Sequence, residues 1–137
     1  MKLSTKSRYG LNAMYHLATS NNNGVVSLKE LSVKTQVTQP YLEKVMGILR
    51  KGKLVTTTRG VMGGYKLAKS PSEITIGEIL RILEKDLIFS DCVNSQKCTN
   101  RSCPNKNIFN LIYVKLNNVL DEITLQQMID NQGECYE

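Results

Sequence analysis

Apolar residues at Leu11, Met14, Leu17 and Ala18 recur at three- and four-residue steps between Thr5 and about Thr19, which places one stripe along an α-helix. Ser4 or Thr5 can cap its start by accepting from a first-turn amide. Asn21-Asn22-Asn23-Gly24 then predicts a turn, and Val25-Val26 a very short strand. Ser27-Leu28-Lys29-Glu30 has capping-box form, so a second helix is expected from about Leu28 to Lys34. After a break at Thr35-Gln36-Val37, Thr38 can cap a third helix, with Pro40 tolerated in its first turn. This helix carries Tyr41, Leu42, Val45, Ile48 and Leu49 and stops at Gly52.

The period then changes from helix to strand. Leu54-Val55-Thr56-Thr57-Thr58 is β-branched, Arg59-Gly60-Val61-Met62-Gly63-Gly64 is a glycine-rich turn, and Tyr65-Lys66-Leu67 can return as the paired strand. Glycines at the tip permit positive φ and close approach to a phosphate backbone, although a plain hairpin turn would use them too. Thr75-Ile76-Gly77-Glu78 is a second capping-box pattern, opening a helix through Ile79, Leu80, Ile82 and Leu83 to about Lys85. A polar, cysteine-bearing loop follows from Ser90 to Asn107. Ile108, Leu111, Ile112, Leu116, Val119, Leu120 and Ile123 then form a stripe longer than one small domain needs for itself. It predicts a dimerisation helix, the alternative being packing within its own subunit. Thr124-Leu125-Gln126-Gln127 caps a short last helix.

Two helices joined by a short turn, the second basic at Lys44, Arg50 and Lys51, form the helix-turn-helix pattern, whose second helix enters the major groove of DNA. A hairpin after it makes a wing, and Arg59 at its start suits the electronegative minor groove. The expected fold is mostly α with a small β-hairpin. A winged helix-turn-helix spans 1–86, a cysteine-bearing sensor loop 87–107, and a long dimerisation helix with a C-terminal tail 108–137.

Charge sharpens the picture. The net charge of +6 divides at Lys69: residues 1–69 carry +10 and the remainder −4. A basic half gains affinity for nucleic acid by releasing counterions condensed on phosphates. An anionic membrane is the weaker alternative, since no segment joins a basic face to an exposed Trp, Phe and Leu face. Hydrophobic content of 41% and charged content of 22% are globular, predicting a chain that folds, and 137 residues suffice for one domain with an appendage. No apolar run approaches the roughly 18 residues that span a bilayer, and the N-terminus lacks a signal-peptide core. A cytoplasmic location is expected. In that reducing compartment Cys92, Cys98, Cys103 and Cys135 are expected as thiols, metal ligands or redox sensors rather than disulfides. No nucleophile–base set, C-x-x-C or phosphate loop suggests an enzyme, so a small iron-sulfur or thiol redox protein is a distant alternative.

Met1-Lys2-Leu3-Ser4-Thr5-Lys6, Arg8-Tyr9-Gly10, Tyr41-Leu42-Glu43, and Arg59-Gly60 followed by Gly63-Gly64-Tyr65 closely resemble the Rrf2 family of bacterial regulators. Glu73-Ile74-Thr75 and Glu122-Ile123-Thr124-Leu125 also look like family positions, so the resemblance covers nearly the whole chain. It implies a homodimer on a palindromic operator, the third helix in the major groove and the wing in the minor groove. By that resemblance Tyr41 and Glu43 fall at operator-contacting positions and Arg59 at the wing arginine. The candidate DNA-binding set is Ser4, Lys6, Arg8, Tyr9, Ser27, Thr38, Gln39, Tyr41, Glu43, Lys44, Arg50, Arg59, Gly60, Gly63 and Gly64. Glu43 would select bases by accepting from cytosine N4, unless it forms an ion pair on the helix surface; Tyr41 could equally be a core aromatic.

Cys92, Cys98 and Cys103 occur as C-x5-C-x4-C with Pro104 next, whereas structural zinc sites use tighter C-x-x-C pairs. Soft thiolates in one loop suit an iron-sulfur cluster. The iron-sulfur-regulator branch of the family places three cysteines here, and the cysteine-metabolism-repressor branch commonly lacks them, so the resemblance implies a cluster, expected as 2Fe-2S. In that branch the last two cysteines are one residue further apart and a histidine lies three positions on, where this chain has Lys106. The fourth ligand is open among Cys135, a carboxylate such as Asp91, the partner subunit and an exogenous thiol. His16, in the first helix, reads as a surface or packing residue. The nitric-oxide-sensing branch uses an acid in helix one, which Ser7-Arg8-Tyr9 does not offer. The alternative is a cysteine-metabolism repressor controlled through a protein partner or thiol redox without a cluster.

Overall fold

The computed structural model describes residues 2–20, 24–85, 87–88, 90–93 and 100–133. Helix α1 (Thr5–Ala18) begins where the Ser4 hydroxyl accepts from Ser7 N at 3.2 Å. Its buried face is Ser7, Gly10, Ala13, Met14 and Leu17. The small members of that face let other elements approach closely, and a Cβ on Gly10 would run into Leu83. Helix α2 (Leu28–Thr35) ends at Gln36, which takes the left-handed conformation at φ 57° and turns the chain into α3 (Gln39–Lys51). From α3 come Leu42, Val45, Met46 and Leu49, all buried. They join the α1 face, Leu31, Leu54, Ile74, Ile79, Leu83 and Leu125 in one core. Each such aliphatic side chain taken from water contributes about 1.5–3 kcal/mol, so these contacts set the fold.

Strands β1 (Val55–Thr58) and β2 (Gly64–Leu67) pair antiparallel, with Val55 opposite Leu67 and Thr58 opposite Gly64. The expected short strand at Val25-Val26 is a single bridge, in which Val26 and Tyr65 exchange two backbone hydrogen bonds of 2.8 Å. That bridge ties β2, close to the hairpin turn, to the residue before the α2 cap. A 3-10 turn (Pro71–Glu73) leads into α4 (Ile76–Glu84), then α5 (Asn105–Glu122) and α6 (Leu125–Asp130).

The start of α4 is joined to the end of α5. Ile76 N donates to the Ile123 carbonyl and Leu125 N to the Ile74 carbonyl, each at 2.8 Å, around a Thr75–Thr124 bridge. Arg81 clamps the two helices further along, reaching Asn117 Oδ1 at 2.9 Å and Asp121 Oδ2 at 2.9 Å. The paired carboxylate raises the Arg81 pKa. Helix α6 returns to α1 and puts Leu125 fully into the core. By contrast α5 buries none of its residues, and Ile108, Leu111, Val114 and Val119 are exposed.

Several caps differ from expectation. At Ser27 and Thr75 only half of each box forms: the hydroxyls accept from Glu30 N and Glu78 N, at 3.1 and 3.0 Å. The carboxylates turn to cations instead, Glu30 to Lys34 at 3.0 Å and Glu78 to Lys69 at 2.9 Å. Complete boxes form at Ser70–Glu73 and Thr124–Gln127. Thr38 holds the cap position of α3 without a side-chain capping bond. The expected Asn-rich turn at Asn21, Asn22 and Asn23 lies outside the described residues.

Ser4 N donates to Glu84 Oε1 at 2.7 Å, tying the chain's start to α4. Hydrogen bonds from Ser4, then Ser7, hold the Glu84 carboxyl below its ordinary pKa, with Lys6 adding a smaller effect. A depressed folded-state pKa stabilises above the unfolded value of ~4.3 and loses that stabilisation as pH falls through the lower folded value. Glu84→Gln is therefore expected to melt below wild type at neutral pH, with the gap closing as the acid range is entered. Thermal midpoints measured from pH 7 downward check this; a gap that does not narrow contradicts it.

Candidate nucleic-acid interface

Helix α3 buries one stripe and leaves the opposite one to solvent. Gln39, Pro40, Glu43, Lys44, Arg50 and Lys51 are exposed on it. Glu43 enters none of the ion pairs formed among the described residues, so its carboxylate faces outward without a described cation. Set against phosphates, a carboxylate so placed would cost affinity unless it accepted from a base amine. Tyr41 is both surface and packing: it is 36% exposed, and its ring meets that of Tyr9 edge-on at 5.9 Å and 85°. The two tyrosines line a surface cavity of about 490 Å³ with Thr5, Gln36, Val37 and Thr38, which brings the start of α1 to the start of α3.

The N-terminal candidates divide by role. Arg8 is exposed, and Lys6 half-buried beside Glu84. Ser4 and Ser27 use their hydroxyls as helix caps, so what they present is two helix N-termini, the dipole end that favours phosphate. His16 is half-buried with its ring edge-on to Tyr15 at 5.3 Å, and burial, then the charge of Lys34, lowers its pKa.

In the wing, Arg59 is exposed at the end of β1. Of the expected tip glycines only Gly60 takes positive φ, at 110°. Gly63 and Gly64 are required by space: a Cβ on Gly63 would strike the Thr58 carbonyl, and one on Gly64 the backbone at Val26. The Gly64 side of the hairpin thus lies flat on the Val26 bridge, holding wing and α2–α3 pair together.

One position of this face escaped the sequence reading. Gly47 follows Pro40, Glu43 and Lys44 at helical spacing, and a Cβ there would meet nothing within 4 Å. Nothing among the described residues requires glycine there, and glycine in a helix costs about 0.5–1 kcal/mol against alanine. The legible signal was a glycine in mid-helix on the polar stripe.

The cysteine candidates are only partly visible. Cys92 is exposed in the turn 91–93, anchored by buried Val93, whose amide donates to the Ser90 carbonyl at 2.9 Å. Cys103 is half-buried just before α5, its carbonyl accepting from Lys106 N at 3.3 Å. Cys98 and the candidate fourth ligand Cys135 lie outside the described residues. Among the described residues no group of three His, Cys, Asp or Glu side chains is gathered for a metal ion.

A basic second helix of a helix-turn-helix, with a basic hairpin fixed beside it, defines a winged helix-turn-helix DNA-binding protein. The family profile Rrf2, described as iron-dependent transcriptional regulator, matches residues 3–131, and the chain belongs to that family of transcriptional regulators. CymR of Bacillus subtilis is 34% identical over 99% of this chain and 97% of its own. The solved structure of that protein, called there the global cysteine regulator, has a TM-score of 0.82 over 96% of this chain and 98% of its own. NsrR of Bacillus licheniformis is 36% identical over 96% of this chain and 94% of its own. The structure of T. potens IscR has a TM-score of 0.78 at 34% identity over 100% of this chain and 93% of its own.

Gly47→Ala is expected to stabilise the fold by about 0.5–1 kcal/mol, since the added methyl meets open space. Urea unfolding measures this; a loss of stability would show that the backbone itself needs glycine there.

Proposed function

We propose that two copies pair through α5 and present two α3 helices and two wings to a palindromic operator in the cytoplasm. The carrying observation is α5: 18 residues with an apolar stripe and none of them buried in their own subunit. Two-fold operators match two-fold dimers, with half-sites about one helical turn apart. In this reading Gln39, Tyr41, Glu43 and Lys44 face base edges or their flanking phosphates, Lys6, Arg8 and Arg50 add charge, and Arg59 enters the minor groove. Tight approach at Gly47 would place α3 backbone against the duplex.

The control element proposed is the segment 92–103. Its donor chemistry fits an iron-sulfur cluster: Cys92 and Cys103 offer soft thiols at its two ends, with Cys98 between them in sequence. Those three residues would hold it, with a fourth ligand from elsewhere, because Lys106 as a cation cannot serve. When bound, a cluster of the 2Fe-2S kind would supply sensitivity to iron and redox state. The chain's own contribution is to anchor the segment through Val93 at one end and α5 at the other, so that its state is felt at the dimer helix. A second reading, cluster-free control through thiols or a protein partner, is favoured by the likeness to CymR over nearly the whole chain.

Duplexes selected from a random pool by the full-length protein, followed by titration against salt, test the DNA reading. Affinity is expected to fall steeply with salt, Arg59→Ala to weaken binding on all sequences, and Glu43→Ala to relax selectivity with a smaller loss. Equal losses on selected and random duplexes for Glu43→Ala would remove its assigned role, and a loss confined to the selected duplex for Arg59→Ala would remove that of Arg59. An anaerobic absorption spectrum with iron and sulfide analysis separates the two control readings. Visible bands lost on Cys→Ala at 92, 98 or 103 support the cluster; a colourless protein whose operator affinity responds to thiol oxidation supports the alternative.

A further inference from the structure

We propose that Val61 and Met62 form an apolar wedge that enters the minor groove of bound DNA and unstacks a base step. This rests on the DNA-binding reading of α3 and the wing and adds a mode of sequence selection to it. Gly63 N donates to the Gly60 carbonyl at 3.0 Å, closing a four-residue turn whose two corner residues are Val61 and Met62. Such corners are dominated by Gly, Pro, Asn, Asp and Ser, which gain from backbone freedom or local hydrogen bonds. A β-branched valine and a methionine gain neither. They are also the most exposed large apolar side chains among the described residues, at 105% and 90% of full exposure.

Their support is stiff. The β1–β2 register fixes the hairpin, the Val26–Tyr65 bridge fixes its second strand one pair from the turn, and Gly63 packs its Cα side against the Thr58 carbonyl. Two apolar side chains are thus held out on a rigid tip, an arrangement that disfavours solubility and marks a binding surface.

The surrounding charge selects the occupant. Residues 44–72 contain seven Lys and Arg and no acid, and Arg59 stands immediately before the turn. An apolar tip on so basic a mount matches a polyanion with an apolar interior, which is what the minor groove offers between its phosphate rails. Inserted aliphatic side chains unstack a step and kink the duplex, and the extra contact made by bent DNA offsets the cost. Flexible pyrimidine–purine steps yield most readily, so the wing would select deformable sequence without a hydrogen bond to any base edge.

The test uses duplexes selected by the full-length protein, with 2-aminopurine placed stepwise through the region that loses protection in Arg59→Ala. Wild type is expected to raise fluorescence at one step per half-site and to bend the duplex by roughly 20–90°. Val61→Ser with Met62→Ser should keep the wild-type melting temperature, lose the fluorescence rise and the bend, and bind about tenfold more weakly. Val61→Ile with Met62→Leu should retain both signals. Tight binding by wild type with straight, stacked DNA overturns the wedge and leaves the DNA reading standing. Failure to select any duplex overturns both. A change of oligomeric state in the serine variant, with bending intact, overturns the wedge in favour of contact between copies.

Discussion

The buried face of α1 is the constraint on which the other elements depend. Ser7, Gly10 and Ala13 recur at three-residue steps with Met14 and Leu17 beside them, giving a helix that is narrow at one end and broad at the other. Helices α2, α3, α4 and α6 and strand β2 all pack on it. The narrow end admits Leu83 and Val45 close to the Gly10 backbone, so α4 and α3 are placed by the same few atoms. Dispersion and burial act over such short range that a methylene there would be felt at α3. The orientation of the exposed α3 stripe is therefore a by-product of core packing rather than of any polar contact on the surface.

Most of this was legible in the sequence because it is governed by local periodicity and capping. The strand pair, the Val26 bridge and the helix starts other than that of α5 follow from residue spacing and from Ser or Thr before the helical run; α5 instead begins at Asn105 behind Pro104, inside the expected loop. What could not be read depends on competition between partners distant in sequence. Glu78 has the form of a box residue, yet Lys69 offers it a full charge where the Thr75 amide offers a dipole. Gly63 and Gly64 look like flexible turn residues, but backbone from the Thr58 and Val26 segments, not positive φ, is what demands them. Met46 joined the core although it falls between the periodic positions first chosen, because the buried arc of α3 spans both Val45 and Leu49.

The candidate site divides along the same line. Charge and glycine patterning marked α3 and the wing, since an interface for a polyanion is written in residue type. Gly47 was missed because its significance is a missing side chain, visible only once the empty space around it is known. The cysteines were found by residue type, but their gathering depends on a segment whose middle, including Cys98, lies outside the described residues.

The junction of residues 74–76 with 123–125 ties the start of α4 to the end of α5 at one hydrogen-bonded seam. Closing a flexible loop grows costlier only logarithmically with its length, about 0.6 kcal/mol for each doubling. The stretch between α4 and α5 can thus lengthen, shorten or exchange its chemistry with little consequence for the seam. Such a topology lets the connection be rewritten while the winged helix-turn-helix stays as it is.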